Sequence, residues 1–271
     1  MTAVEPAALP SLPSLPSVYR SRAGVELKEF FRQRESVVFT LMLPVLLLVV
    51  FGAVLNYDIG FGVTFTQYFM AGIIAAGILG ASLQNMAISI ATERSDGTLK
   101  SLAGTPMPKS AYFIGKVVQV LAVTLAIIAI LLFIGVVFYN VELPSGAEWF
   151  TFAWVSVLGA TACTLLGMTL SSLAKNGRSA SATVTPVALL LQFTSGVFFQ
   201  FSSLPTWMQT AASIFPLKWM AQGLRSVFLP QALAVKEPAH SWELGRVALV
   251  LGVWCVVGLV LCIRTFRWQD R

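Results

Sequence analysis

Long runs without a charged residue are the strongest constraint on how this sequence can fold. The run from Val37 to Leu55 has no charged residue over 19 positions. At 1.5 Å per residue, a helix of that length crosses nearly all of a hydrocarbon core about 30 Å thick. The whole chain of 271 residues is 56% hydrophobic and only 11% charged, with a mean hydropathy of +0.79. This composition lies outside the globular range and predicts an all-α integral membrane protein.

The apolar runs predict six transmembrane helices. Their expected limits are about 37–55, 66–91, 111–139, 149–172, 179–201 and 244–263. Between the last two runs, Pro205 and Pro216 divide an apolar stretch into pieces too short to cross a bilayer. The sequence therefore predicts broken external helices in segment 202–243, before the last span.

The N-terminal region divides into a tail and a helix. A Leu-Pro-Ser triplet occurs three times from Leu9, which is typical of a polyproline II conformation and predicts a disordered Pro-rich tail over residues 1–17. Residues 18–36 then alternate apolar and mostly basic side chains at helical spacing. They predict an amphipathic, interfacial helix that lies on the membrane surface.

The distribution of basic residues predicts the orientation. An even number of spans places both termini on one side. Fourteen of the 18 Lys and Arg residues then fall on the side of the termini and of segment 93–116, and four fall on the other side. By the positive-inside rule, both termini and this segment are expected in the cytoplasm, and segment 202–243 is expected outside.

The segment from Glu93 to Lys116 is polar and broken, between two long apolar runs. Gly97 can take the left-handed conformation that ends one helix, and Thr98 can cap the next. Pro106 lies two turns later and stops that helix, and Ser110 is placed to cap the following span. This pattern predicts a short, rigid cytoplasmic helix, and it favours a shaped contact surface over a solvated hairpin.

Several chemistries are disfavoured by what the sequence lacks. No predicted span has a charged residue near its middle, which argues against an ion-coupled transporter. Gly104 and Lys109 imitate part of a phosphate-binding loop, but Pro108 stands where the motif needs glycine. His240 is the single histidine, and no catalytic triad or metal site is expected. The basic residues flank apolar runs and form no stripe for nucleic acid.

A substrate path is harder to locate from the sequence. Gln84 and Asn85 could hydrogen-bond a substrate, although contacts between helices are the commoner use of such residues. Four aromatic or flexible residues could line an apolar cavity or equally face lipid: Phe39, Met42, Phe193 and Phe198.

The residues from Glu93 to Pro108 carry a family likeness. Their Glu-x-x-x-Gly-Thr-Leu core and the following Thr-Pro resemble the signature of type 2 ABC transporter permeases. The likeness is closest to the bacterial drug-exporter branch that includes the daunorubicin-resistance permeases. It covers nearly the whole chain, including Phe215-Pro216-Leu217 leading into Gly223-Leu224-Arg225. The Pro-rich tail lies outside the pattern.

The resemblance implies a permease subunit in the bacterial plasma membrane. Such a subunit pairs with itself or a sibling permease and with two separate ATP-binding subunits, which hold the ATP and Mg²⁺, so this chain would bind no cofactor. The expected function is ATP-driven export of a hydrophobic or amphiphilic substrate, drug or lipid-like, by alternating access. The substrate path would lie at the permease dimer interface, along the first, second and fifth spans.

The resemblance also assigns residues by position. The ATPase-coupling helix would use Glu93, Gly97, Thr98, Leu99, Leu102, Thr105 and Pro106. The connecting helix before the first span would use Glu26, Glu29, Phe30 and Arg32. One alternative is a membrane scaffold that recruits a cytoplasmic partner without transport. A secondary transporter is a third reading, which the lack of charge at the membrane midplane disfavours.

Overall fold

The computed structural model describes residues 14–55 and 57–266, and in these ranges it contains ten α-helical elements and no β-strand. Their limits are α1 Leu15–Arg32, α2 Arg34–Val54, α3 Phe65–Ser95, α4 Thr98–Ala103, α5 Lys109–Tyr139, α6 Glu148–Ser171, α7 Gly177–Thr194, α8 Thr206–Ala212, α9 Pro216–Phe228 and α10 Leu244–Thr265. Short 3-10 turns at Phe201–Ser203 and Gln231–Lys236 flank α8 and α9. Residues 1–13 of the expected tail lie outside the described residues.

Helix α1 differs from the expected amphipathic helix at both ends. It begins at Leu15, inside the expected tail, because Pro16 is compatible with the first turn of a helix. It ends at Arg32, and Gln33 separates it from α2. The face that includes Glu26 and Phe30 is buried and packs against α5, so α1 rests on protein along one side.

Five helices are long and apolar enough to cross a membrane: α2, α3, α5, α6 and α10. Helix α7 does not reach this standard, because its first half is polar and includes Arg178. The expected limit of this span at residue 201 is wrong, since α7 ends at Thr194 and the chain turns at Gly196, where φ is 74°. Length and composition therefore support five spans.

Helix α7 nevertheless runs the full length of the bundle. Its first residue, Gly177, contacts Thr92 near the end of α3, where a Cβ on the glycine would lie 2.0 Å from the threonine Oγ1. Just past its last residue, the carbonyl of Gly196 accepts a hydrogen bond from Arg225, which also donates to Tyr68 near the start of α3. We call the end that holds α4 and Gly177 the α4 end, and the other the opposite end.

Helix α9 occupies the interior of the bundle. Every residue from Pro216 to Val227 is buried, and the helix packs against α3, α6 and α10. Segment 202–243 thus forms two short helices and two 3-10 turns, but its second helix is a core element. Pro216 is suited to the first position of α9, because a backbone N–H there would have no acceptor within the helix.

Two apolar cores hold the helices together. The larger one surrounds α3, whose residues from Phe69 to Leu79 are buried. The smaller core lies at the α4 end and joins four spanning helices to α4 through Met86, Ile90, Leu99, Tyr112, Val120, Met168 and Cys262. At Gly167, a Cβ would lie 2.6 Å from the carbonyl oxygen of Leu83, so glycine allows α6 to contact α3.

Candidate functional site

The chain around α4 follows the expected outline with different caps. Gly97 is left-handed, with a φ of 76°, as predicted. The prediction that Thr98 caps α4 is wrong, because Gly97 occupies the cap position and no side chain caps the helix. Pro108 likewise occupies the cap position of α5. Ser110 lies inside that helix, 2.8 Å from the hydroxyl of Tyr19 in α1.

The predicted coupling residues divide into an inner and an outer set. Leu99 is fully buried in the smaller core, and Glu93 is 3% exposed. Thr98, Thr105 and Pro106 are exposed, and Gly97 and Leu102 are half-buried. A partner protein can therefore reach α4 through the outer set, while Leu99 and Glu93 face inward and fix the helix to the bundle.

A buried group of charged and polar residues joins α1, α3 and α5 beside α4. We call it the Lys116 cluster; it comprises Arg22, Glu26, Ser89, Glu93, Tyr112 and Lys116. The Nζ atom of Lys116 lies 2.7 Å from Oε2 of Glu26 and 2.7 Å from Oγ of Ser89. Lys116 also forms an ion pair with Glu93, whose second carboxylate oxygen accepts a hydrogen bond of 2.9 Å from Tyr112.

The charges in the Lys116 cluster balance, with two basic and two acidic side chains. Arg22 forms an ion pair with Glu26 and lies over the ring of Tyr112, 5.3 Å from its centroid. Burial raises the pKa of the Glu26 carboxyl, and the attraction of Lys116 opposes this only in part. Glu26, Glu29 and Glu93 lie close enough to share a metal ion, but Lys116 already supplies the cation there.

The four predicted residues of the connecting helix face two ways. Glu26 and Phe30 are buried toward α5. Glu29 and Arg32 line an open groove of about 570 Å³ on the outer side of α1, together with Val25, Lys28 and Gln33. As in α4, one face attaches the helix to the bundle and the other remains available to a partner.

A cleft of about 460 Å³ lies between α2, α3 and α7, and we call it the α2–α3–α7 cleft. It runs from Glu35 and Ser36 at the α4 end to Leu47, Ile73 and Gln192 deeper in the bundle. Three of the six predicted substrate-path residues line it: Phe39, Gln84 and Asn85. Met42 does not line the cleft and is 51% exposed.

The helices around this cleft are irregular where they face it. Helix α2 has a π-helical segment at Val38–Met42, followed by Pro44. Helix α3 has another at Gly80–Gln84, and α7 contains Pro186. Residues of both π-helical segments line the cleft, as does Pro44. Because π-helical segments are rare and frequently occur at functional sites, their pairing here marks the cleft as a site where the helix walls can adjust.

Aromatic rings close the bundle beyond the deep end of the cleft. The rings of Phe51 and Phe69 stack with centroids 5.1 Å apart. Phe198 lies 6.2 Å from Phe51 and 6.1 Å from Phe69. Phe193 packs on Phe198 at 4.7 Å but is itself 50% exposed. The predicted path residues Phe193 and Phe198 therefore belong to this group of rings, which begins directly after the lining residue Gln192.

A second buried charge lies at the opposite end of the bundle. The side chain of Arg225 in α9 is 0% exposed, and its Nε lies 3.0 Å from the carboxylate of Glu237. Its Nη1 donates to Tyr68 and to the carbonyl of Gly196, both at 2.9 Å. Nearby in α9, burial lowers the pKa of Lys218 to about 8. Arg225 thus connects α3, the end of α7 and the loop after α9.

Several lining residues of the cleft were not singled out from the sequence. They are Glu35, Ser36, Thr40, Ser181 and Thr185. A usable signal was present, since Ser36 and Thr40 lie four residues apart, as do Ser181 and Thr185. Residues at this spacing share one face of a helix. Hydroxyl residues at this spacing on two neighbouring helices are the pattern of a shared polar surface.

Comparison with known proteins agrees with this architecture. The family model described as "ABC-2 type transporter" matches residues 23–229. The chain is 22% identical over 200 residues to YvfS of Bacillus subtilis (strain 168), named as a transport permease, a match that covers 74% of this chain and 81% of YvfS. It is 27% identical over 145 residues to YbhR of Escherichia coli (strain K12), named as a multidrug ABC transporter permease.

The match to YbhR covers 54% of this chain and 39% of the relative, so the chain spans well under two thirds of that protein. The family model, by contrast, covers most of the chain, from α1 to the end of α9. It includes α4, the α2–α3–α7 cleft and every residue of the Lys116 cluster except Arg22. The chain belongs to the ABC-2 type transporter family of membrane permeases.

Proposed function

We propose that this chain is the membrane subunit of an ATP-driven exporter that moves a hydrophobic or amphiphilic molecule, drug or lipid-like, out of the cytoplasm or inner leaflet. ATP and Mg²⁺ are held by a separate ATP-binding subunit, present in two copies, and a second permease completes the assembly. Within the family, the proposal places the chain in the daunorubicin-resistance-like branch, on the resemblance carried by residues Glu93 to Pro108. The name of YbhR, a multidrug permease, supports a drug-like substrate.

The α2–α3–α7 cleft is the observation that carries this proposal. It is bounded by three helices, and each has a break in regular α-helical geometry or a proline near the cleft. Its lining combines apolar side chains with one carboxylate and seven hydroxyl or amide side chains. Sites for small molecules commonly combine these properties. A wall of irregular helices can change its packing with little loss of backbone hydrogen bonding.

A continuous route leads from the exposed side of α4 to this cleft. Leu99 packs in the smaller core against residues of α3, including Met86 and Ile90. In α3 these residues follow directly on Gln84 and Asn85, which line the cleft. A displacement of α4 by a partner would therefore act on the same helix that forms one wall of the cleft. Packed elements of this kind commonly carry coupling between distant sites.

The proposed topology has six crossings. Helix α7, the fifth span in chain order, is added to the five long apolar helices, since its 18 residues extend about 27 Å. It also runs between both ends of the bundle. Both termini and α4 lie in the cytoplasm of a bacterial cell, on the side that the basic residues favour. The exposed apolar residues of α2 and α7, including Leu46 and Leu190, face the second permease.

Transport by a reconstituted complex tests the proposal. The permease is purified with its ATP-binding partner and placed in proteoliposomes, and ATP-dependent uptake of a fluorescent amphiphile into inside-out vesicles is recorded. Uptake is expected with ATP and is expected to be lost when the Walker lysine of the partner is replaced. An ionophore should leave uptake unchanged at constant ATP.

Two results would contradict the proposal. Loss of uptake with the ionophore at constant ATP would indicate an ion-coupled transporter. A complex that assembles and hydrolyses ATP, but moves none of a panel of amphiphiles in either direction, would favour the scaffold. Leu102→Ala, which trims the outer side of α4 while Leu99 stays buried in the smaller core, is expected to reduce uptake per ATP hydrolysed.

A further inference from the structure

One residue gives the α2–α3–α7 cleft its charge. Glu35 is the only residue with a charged side chain among those that line the cleft. Within residues 14–55 and 57–266, its carboxylate takes part in no ion pair, whereas Glu26, Glu93, Glu237 and Glu243 all do. The remaining polar lining groups are neutral: Ser36, Thr40, Gln84, Asn85, Ser181, Thr185 and Gln192. The mouth of the cleft therefore carries a single negative charge.

An aromatic ring lines the same part of the cleft as this carboxylate. Phe39 follows Glu35 by four residues, so the two side chains lie on the same side of α2, and both line the cleft. The Phe39 side chain is 70% exposed, which leaves its ring accessible from the cleft. A carboxylate and an aromatic face are the two groups that attract an organic cation without requiring a metal-like coordination shell.

The opposite wall adds neutral acceptors. The amide side chains of Gln84 and Asn85 come from the π-helical segment of α3 and the residue after it. Their oxygens can accept from an ammonium group or orient around an alkylated cation. Toward the deep end the lining is apolar except for Gln192, with Leu43, Leu47 and Ile73. The cleft thus has a negative, aromatic mouth and a mainly apolar interior.

We propose that the α2–α3–α7 cleft selects organic cations with an apolar body, with Glu35 as its specificity-determining residue. The role of this site in transport rests on the proposed function, whereas cation binding by the permease does not. At the edge of the hydrocarbon, opposite charges attract several times more strongly than in water. An anionic amphiphile would meet Glu35 with no basic side chain in the lining to compensate, so the same residue excludes it.

Binding of a permanent cation to the purified permease tests the proposal without the ATPase. The permease is placed in phosphatidylcholine nanodiscs, and binding of radiolabelled tetraphenylphosphonium is measured, with subtraction of binding to empty nanodiscs. Tetraphenylborate, which has the same shape and the opposite charge, is measured separately. Saturable binding is expected for the cation, at least about tenfold tighter than any binding of the anion.

Variants at residue 35 identify the responsible group. Glu35→Gln is expected to weaken binding of the cation about tenfold, and Glu35→Asp is expected to retain most of it. Asp96→Asn is the matched control, because it removes a carboxylate at the same end of the bundle that does not line the cleft. Equal affinity in the wild type and Glu35→Gln, or the same loss in Asp96→Asn, would overturn the proposal.

Failure of this proposal is distinguishable from failure of the proposed function. If the complete complex exports amphiphiles but Glu35→Gln binds tetraphenylphosphonium normally, the proposed selectivity is wrong and the proposed export function is supported. If cation binding depends on Glu35 but the complex transports nothing, the proposed cation site is supported and the proposed export function is wrong. If Glu35→Gln weakens assembly with the ATPase while cation binding is unchanged, Glu35 serves the protein contact and the proposal is wrong.

Discussion

The Nζ atom of Lys116 lies 2.7 Å from Oε2 of Glu26, and both side chains are 1% exposed. This ion pair joins α1 to α5 across 90 positions of sequence, and Glu93 extends it to α3. A buried pair contributes little net stability compared with an apolar pair of the same shape, but the loss of one partner leaves an uncompensated charge. The attachment of α1 to the bundle therefore depends on all its charged members together.

Replacement of Lys116 by methionine should destabilise the protein strongly. Glu26 and Glu93 would remain buried without their shared cation, and the free energy of unfolding should fall by about 3–5 kcal/mol. Urea unfolding of the permease in detergent, followed by circular dichroism, measures this. Lys100→Met serves as a control, because Lys100 is exposed on α4 and its replacement should change stability by about 0.5 kcal/mol or less. Equal effects would contradict the prediction.

The raised pKa of Glu26 predicts a pH dependence. A carboxyl whose pKa is higher in the folded state than in the unfolded state binds protons more tightly when folded. Its contribution to stability is thus fully present below the ordinary value of 4.5 and is lost as the pH rises through the raised pKa. Against Glu26→Gln, which does not titrate, the wild type should gain melting temperature as the pH falls from 7.5 toward 4.5. A pH-independent difference would contradict this.

The sequence predicted local features well where one or two residues determine the backbone. Gly97 adopts the left-handed conformation, and Pro205 and Pro216 precede or open short helices, because these residues restrict φ wherever they occur. Apolar runs indicated the spans for a similar reason, since each helix in a bilayer must satisfy its own backbone. The predicted limit failed at the end of α7, where the chain turns at Gly196 although apolar residues continue beyond it.

Contacts between distant segments could not be predicted in this way. In the sequence, Glu26 and Lys116 belong to separate polar segments, and only packing of α1 on α5 brings them together. Arg225 was one residue of a family pattern, and its burial follows from the position of α9 inside the bundle. Three of the six residues expected along a substrate path line the cleft. Amide residues such as Gln84 stand out in an apolar helix, whereas single hydroxyl residues such as Thr40 do not.

Leu99 and Leu102 of α4 should respond differently to truncation. Leu99 is 0% exposed in the smaller core, so Leu99→Ala should leave a cavity and lower the free energy of unfolding by about 2–5 kcal/mol. Leu102 is half-buried, and Leu102→Ala should cost about 1 kcal/mol. Under the proposed function, Leu102→Ala should also reduce export per ATP hydrolysed. Unfolding in urea and the ratio of uptake to phosphate release measure the two effects, and equal stability losses would contradict the assignment of inner and outer residues.

Arg225 should stabilise the opposite end of the bundle. In Arg225→Met, the carboxylate of Glu237 would lose its ion pair while 5% exposed, and Tyr68 and Gly196 would lose a donor. The free energy of unfolding should fall by about 3–5 kcal/mol. The double variant Arg225→Met with Glu237→Leu should recover part of that loss, because no isolated charge remains. A double variant that is less stable than Arg225→Met would show that Glu237 does not depend on Arg225.

Phe198 and Phe193 offer a final contrast at the deep end of the cleft. Phe198 is 6% exposed and contacts the rings of Phe51, Phe69 and Phe193, so Phe198→Ala should open a cavity and cost about 3 kcal/mol. Phe193 is 50% exposed, and Phe193→Ala should cost about 1 kcal/mol. Under the proposed function, the open cavity should also let a small amphiphile leak between the rings without ATP. Dye leakage from proteoliposomes and unfolding in urea measure these effects, and a leak in Phe193→Ala but not in Phe198→Ala would place the barrier outside the ring group.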